Sequence, residues 1–184
     1  MKRTKRFGAM ATTLNVGLAL AILTTISATA SSPRGDDANR KSKNGKAEGT
    51  VGGVRVTVEY GRPSVGGRKV WGDLVPYDKV WRAGADEATT IVLDRDVNIE
   101  NQKLAAGRYA LFYIPSAGDW TVVFNSVADQ WGAFKYDAAK DVLRVTVKPR
   151  ANPKVETLEY AVATERVEMR WDEVAVSFAV RPLG

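Results

Sequence analysis

The sequence predicts an all-β fold, an antiparallel β-sandwich of the jelly-roll or immunoglobulin-like kind, preceded by a signal peptide and a flexible linker. Three observations lead there. After residue 47 apolar residues recur with a period of two, as in Val54, Val56, Val58 and Tyr60 against Arg55, Thr57 and Glu59. Turn residues separate these runs at short intervals, and no stretch beyond residue 47 sustains a helical period. Hydrophobic residues make up 45% of the chain, enough for a core.

Composition excludes several chemistries. The 184 residues contain no Cys and no His. A disulfide, a Cys nucleophile, a His general base, a His/Cys metal site and the Ser-His-Asp triad are therefore ruled out. No metal and no cofactor is expected. The formal charge of +6 is concentrated at the front: Lys2, Arg3, Lys5 and Arg6 stand in residues 1–30 without an acid, whereas residues 51–184 hold 18 basic and 18 acidic side chains. A nucleic-acid partner needs a basic face, and a neutral domain offers none.

Residues 1–30 read as a signal peptide. MKRTKRFGAM is basic, Leu14 to Ile26 is mostly apolar, and Ala28-Thr29-Ala30 is a small-x-small cleavage site before Ser31. The apolar run Val16–Leu23 is shorter than the roughly 20 residues a membrane span needs, so no stable span is expected after cleavage. The alternative is an uncleaved anchor. The expected location is periplasmic or extracellular. Residues 31–46, SSPRGDDANRKSKNGK, are too poor in apolar side chains to offset their ordering entropy and read as a flexible linker. Residues 47–184 form the single sandwich domain.

Within it, Ala47 to Tyr60 reads as a hairpin turned by Gly52-Gly53. A long irregular stretch follows, YGRPSVGGRKVWGDLVPYDKVWRAGADEATT, whose prolines and glycines block helix and central strand alike. Loops of this length are uncommon inside a domain and often carry function. Gly61 and Gly66 are spaced as in a P-loop, but Gly67-Arg68 stand where Lys-Ser/Thr are needed. What remains is an anion site of glycine-freed N–H groups with Arg62, Arg68 and Lys69, or else a solvated turn. Trp71 and Trp81 each offer on the order of 150–250 Å² for burial, about 4–6 kcal/mol at most. They pack the loop onto the sandwich, or Trp81 serves as a stacking platform. Arg82, Asp86 and Glu87 form the sharpest polar cluster, read as a pocket wall or as an Arg82–Glu87 brace.

Farther on, Thr89–Leu93 and Val97–Glu100 are short strands. Asp94, Asp96 and Asn98 imitate a calcium loop, but Ile99 and Ala105 replace its Gly and Glu. RYALFYI after Gly107 pairs with Trp120–Phe124 in a second hairpin, apolar on both faces as in a doubly covered strand. Residues 128–141 are irregular, with Asp137 as the cap of a short turn. Val142–Lys148 alternates, with Leu143, Val145 and Val147 inward. The tail adds three strands, around Leu158–Val162, Val167–Trp171 and Val174–Val180, the last two linked by Asp172-Glu173.

Three separated segments, GRPSVGGRKVWGDLVPYDKVWRAGADEATT, AAGRYALFYIP and DQWGAFKYDAAKDVLRVTVKP, closely resemble the bacterial family labelled "domain of unknown function 2911". The resemblance runs from about Gly49 to the C-terminus. It implies an exported domain with no established activity. Ser32-Pro33-Arg34 is similar to that family's mature start, which makes residues 35–46 an insertion. The family usually has Asn where this chain has Asp86, so this chain adds a charge beside Arg82.

The expected function is binding of a small polar or anionic ligand, or a glycan, at the long loop. Arg62, Arg68 and Arg82 would hold acceptors and Trp81 would stack. Asp86 and Glu87 complete the site, with Gln130 and Trp131 contributing from the second irregular piece. Two other readings stand beside it. One is a structural or protein-interaction module of the cell envelope. The other is a carboxylate-dependent hydrolase, which needs two carboxyl groups roughly 5–9 Å apart, one with a raised pKa. Asp86 or Glu87 with Asp137 or Asp141 are the pairs it would use.

Overall fold

The computed structural model describes Met1 and residues 34–183; apart from Met1, the expected signal peptide lies outside the described residues. The strands are β1 (Lys43–Val51), β2 (Val54–Arg62), β3 (Thr89–Leu93), β4 (Val97–Ile99), β5 (Gln102–Leu104), β6 (Gly107–Ile114), β7 (Trp120–Asn125), β8 (Asp141–Val147), β9 (Arg150–Ala163) and β10 (Arg166–Pro182). They form two antiparallel sheets, a six-stranded one ordered β1-β2-β3-β6-β7-β8 and a four-stranded one ordered β5-β4-β10-β9. This is the expected β-sandwich. Among the described residues no helix is long and apolar enough to cross a membrane.

The period of two sorts the side chains. Val54, Val56, Val58 and Tyr60 of β2 are buried in the same core as Trp120, Val122 and Phe124 of β7 and Leu143, Val145 and Val147 of β8. From the smaller sheet, β10 contributes Val167, Met169, Trp171, Val176, Phe178 and Val180. Phe124 and Phe178 meet across the two sheets with ring centroids 5.4 Å apart. The central strand β6 is covered on both sides. Tyr109, Leu111 and Tyr113 join the main core, while Ala110 and Phe112 join a second cluster closed by Ala133 and Tyr136.

Three expectations need correction. The last two strands are one, β10, 17 residues long. Asp172 sits at φ 51 between two register shifts, after which pairing with β9 resumes. Inward residues of β10 are odd-numbered before Asp172 and even-numbered after it; the left-handed kink at Asp172 reverses the parity, while the extra residues of the register shifts fall on β9, so β10 does not end there. The short strand β5 was not anticipated from its three residues.

The segment expected to be a flexible linker is fixed from Arg34 onward. Lys43 pairs with Arg62 and Lys46 with Glu59, which lengthens the first hairpin by four residues. Ahead of it the chain folds on itself, with Arg40 N–H donating to Asp37 O at 3.1 Å and Asn44 N–H to Asp37 Oδ1 at 2.7 Å. Hydrogen bonds and ion pairs hold this piece, so its lack of apolar side chains was a poor guide.

Candidate functional site

The stretch between β2 and β3 is irregular but pinned by isolated bridges at Ser64–Thr157, Trp71–Val75, Trp81–Tyr113 and Glu87–Trp131. Its start is zipped to β9: Val65 N–H donates to Glu156 O at 2.8 Å and Leu158 N–H to Pro63 O at 2.9 Å. Trp81 exchanges both backbone hydrogen bonds with Tyr113 of β6, at 2.8 and 2.9 Å, two residues along β6 from the Thr89–Leu111 pair. Trp81 therefore continues the line of β3. Residues 82–88 are thrown out as a loop, closed by Thr89 N–H donating to Arg82 O at 3.1 Å.

Two glycines let this loop lie flat. A Cβ on Gly61 would come within 2.3 Å of Ala85 O, and one on Gly84 within 2.9 Å of Thr89 Oγ1. Beneath the loop, the hydroxyls of Thr89 and Tyr160 both donate to Ala83 O at 2.9 Å. The loop is thus bolted to both sheets.

Two cavities flank it. The larger, about 540 Å³, is walled by Trp81, Trp171, Arg82, Arg68, Asp86 and Lys41, among others. Trp81 stacks on Trp171 with centroids 5.8 Å apart and planes 18° apart, and Trp71 meets Trp171 edge-on at 5.7 Å. Trp81 is therefore both a packing residue and a cavity wall. Arg82 is half-buried, and its Nε reaches no hydrogen-bond partner among the described residues. Burial lowers its pKa, against the pull of Asp86. The indole N–H of fully buried Trp171 is likewise unpartnered. Arg68 is partly engaged by its own loop, donating to Val65 O at 2.9 Å and to Ser64 O. Arg62 ends β2 opposite Lys43 and lines neither cavity.

The expected Arg82–Glu87 brace does not form. Arg40 takes the Glu87 carboxylate in a two-point fork, Nη1 donating to Oε2 at 2.7 Å and Nη2 to Oε1. Arg34 adds a longer contact at 3.5 Å and donates to the backbone oxygens of Glu87 and Ala88 at 3.0 and 2.8 Å. Burial raises the pKa of Glu87, but the hydrogen bonds from Arg40 and from backbone N–H groups outweigh it and bring it down to about 2. Arg34 and Arg40 were missed as site residues because they lie in the segment taken for a linker.

The smaller cavity, about 290 Å³, is lined by Arg34, Glu87, Thr90, Arg108, Gln130 and Trp131, among others. Ala88 N–H donates to Gln130 O and Gly132 N–H to Asp86 O, both at 3.0 Å, which ties this loop to the one above. The anticipated site residues thus divide. Arg68, Trp81, Arg82 and Asp86 share one cavity; Glu87, Gln130 and Trp131 share the other.

A family model described as "Protein of unknown function (DUF2911)" matches residues 42–180. The chain belongs to this family. No curated protein and no solved structure matches it. The matched span takes in the walls of the larger cavity except Lys41, and starts after Arg40, so the arginine clamp on Glu87 lies upstream of it. Asp86 has φ 62, a left-handed conformation that Asn and Asp tolerate better than other residues with a Cβ. An Asn at this position would therefore keep the backbone and change only the charge.

The carboxylate pairs of the hydrolase reading are not assembled in either cavity. Asp141 accepts from Asn125 Nδ2 at 2.7 Å, Tyr136 OH at 2.6 Å and Arg144 Nε at 2.8 Å. Asp137 caps the short 3-10 turn Ala138–Lys140, accepting from Ala139 N–H at 2.9 Å. Neither lines either of these two cavities. Glu87 is held strongly acidic, the opposite of what a general acid requires.

Proposed function

We propose that this DUF2911 protein is exported and binds a small anionic ligand, a carboxylate or a phosphate, in the larger cavity. The observation that carries this reading is Arg82, a half-buried guanidinium with an unpartnered Nε on the cavity wall. Drawing such a charge out of water without an acceptor destabilises the fold. Carboxylate or phosphate oxygens supply the acceptor in the planar, two-point geometry a guanidinium favours. Lys41, Arg68 and the Trp171 indole add donors on the same wall, against the one carboxylate of Asp86. Trp81, stacked on Trp171, provides the apolar side.

Thermal shift and calorimetry against dicarboxylates, phosphate esters and neutral sugars test it. One anionic class is expected to raise the melting temperature of the wild type and to leave Arg82→Met unmoved. No shift with any anion would overturn the reading. Export rests on the basic, then apolar leader ending in Ala28-Thr29-Ala30. Mass spectrometry of protein recovered outside the cytoplasm of a bacterial host is expected to show Ser31 as the first residue, and an intact leader would refute cleavage. Trp131 and Phe134, 58% and 83% exposed, support a second reading as an envelope interaction module. A concentration-dependent mass in light scattering, abolished by Phe134→Ser, would favour it.

A further inference from the structure

We propose that the smaller cavity is a second, separate binding site, and that it takes a hydroxyl-rich ring the size of one pyranose with Trp131 as its stacking face. Three side chains on its wall carry a polar atom without a hydrogen-bond partner among the described residues: Thr90 Oγ1, Gln130 Oε1 and Arg108 Nη2. Thr90 is 3% exposed, so its hydroxyl has been taken from water with nothing in exchange. The other ends of the two longer side chains are anchored. Gln130 Nε2 donates to Val127 O at 2.7 Å, and Arg108 Nη1 to Asp129 Oδ1.

The chemistry of the three atoms selects the ligand. A hydroxyl both donates and accepts, an amide oxygen accepts, and a guanidinium N–H donates. Neighbouring ring hydroxyls, which also donate and accept, match such a mixed set. An anion would accept from Arg108 and Thr90 but would leave the Gln130 amide oxygen without a donor, and it would meet the carboxylates of Glu87 and Asp129 on the same wall. The larger cavity shows the contrasting pattern, rich in donors. Trp131 is exposed at the rim, and the bridge between its backbone and Glu87 holds this stretch of chain beside the cavity. Aromatic rings with an apolar face suit the carbon-bound hydrogens of a sugar ring. At about 290 Å³ the cavity lies at the lower end of small-molecule sites, roughly 300–1,000 Å³, which suits one ring and not a chain. Contact requires small rotations of Thr90, Gln130 and Arg108, of the kind common on binding.

Saturation-transfer NMR of the full-length protein with a panel of methyl pyranosides at millimolar concentration tests this. Transfer to the ring protons of at least one pyranoside is expected. Thr90→Val and Trp131→Ala should each weaken it about tenfold, and Arg82→Met should leave it intact. Trp131 is exposed, so Trp131→Ala remains informative even if Thr90→Val disturbs the fold. No transfer from any pyranoside, or transfer that survives both variants, overturns the proposal. Loss in Arg82→Met alone would place the sugar in the larger cavity and overturn it too. Because Arg82 and Thr90 are tested separately, failure here leaves the anion site standing, and the reverse.

Discussion

Arg82 and Glu87 lie five residues apart and have opposite electrostatic lives. Arg82 is desolvated with its Nε unpartnered, and Glu87 is held by two arginines. Arg82→Met keeps the length and removes the stranded charge. We expect its melting temperature to be unchanged or raised, by about 2–4 °C for each kcal/mol regained, while any anion-induced shift disappears. Calorimetric scans of both proteins with and without anion check this. Glu87→Gln breaks the fork to Arg40, at about 1 kcal/mol since the pair is partly open to solvent. Its pKa is depressed from 4.5 to about 2, so its stabilisation is full above about pH 4.5 and is lost as pH falls toward 2. Melting curves between pH 7 and pH 2 should therefore show a smaller acid-induced loss in Glu87→Gln than in wild type. Asp86→Asn keeps the left-handed backbone and removes the carboxylate beside Arg82. It should leave stability within about 0.5 kcal/mol and tighten any anion bound in the larger cavity, as titration calorimetry would report.

The decisive element is the loop of residues 82–88, thrown out of the line from Trp81 to Thr89. Its seat depends on Gly61, whose missing side chain admits Ala85 O. Gly61→Ala forces a methyl on β2 against the backbone oxygen of Ala85, and no side-chain rotation relieves the clash, so the loop must lift. A loss of about 1–3 kcal/mol is expected, with faster hydrogen exchange at residues 83–88 while the core strands stay protected. A variant that exchanged as slowly as wild type would refute this seating. The strands themselves were legible in the sequence because alternation is a local property. Val54 to Tyr60 and Leu143 to Val147 give themselves away over a few residues. β10 was misjudged at Asp172, where a left-handed kink and a turn leave the same mark, a change of parity. The role of Trp81 was half legible. Its size promised burial, but its bridge to Tyr113 depends on a strand some thirty residues away.

At the scale of the whole molecule, residues 34–42 link parts that sequence reasoning kept separate. This segment supplies Arg34 to the smaller cavity, Lys41 to the larger and Arg40 to the loop between them. Cleavage after Ala30 would leave all three in the mature chain. A chain begun at Lys43 keeps every strand and loses the clamp. It should fold and melt lower than wild type. Adding Glu87→Gln should then have little further effect on its acid limb, because both changes remove the same pair. Additive losses would show that the clamp does not act through Glu87.

The sequence by itself determined the sandwich, the leader pattern and the chemistries that a chain without Cys and His cannot perform. Period, composition and absence are all read from neighbouring residues or from a census. Only the tertiary structure decided which charges meet. Arg40 reaches Glu87 across 47 positions while Arg82, five positions away, does not. That pairing follows from the path of the chain, fixed by bridges between distant strands and by a backbone oxygen resting on a glycine. No local pattern encodes such a path.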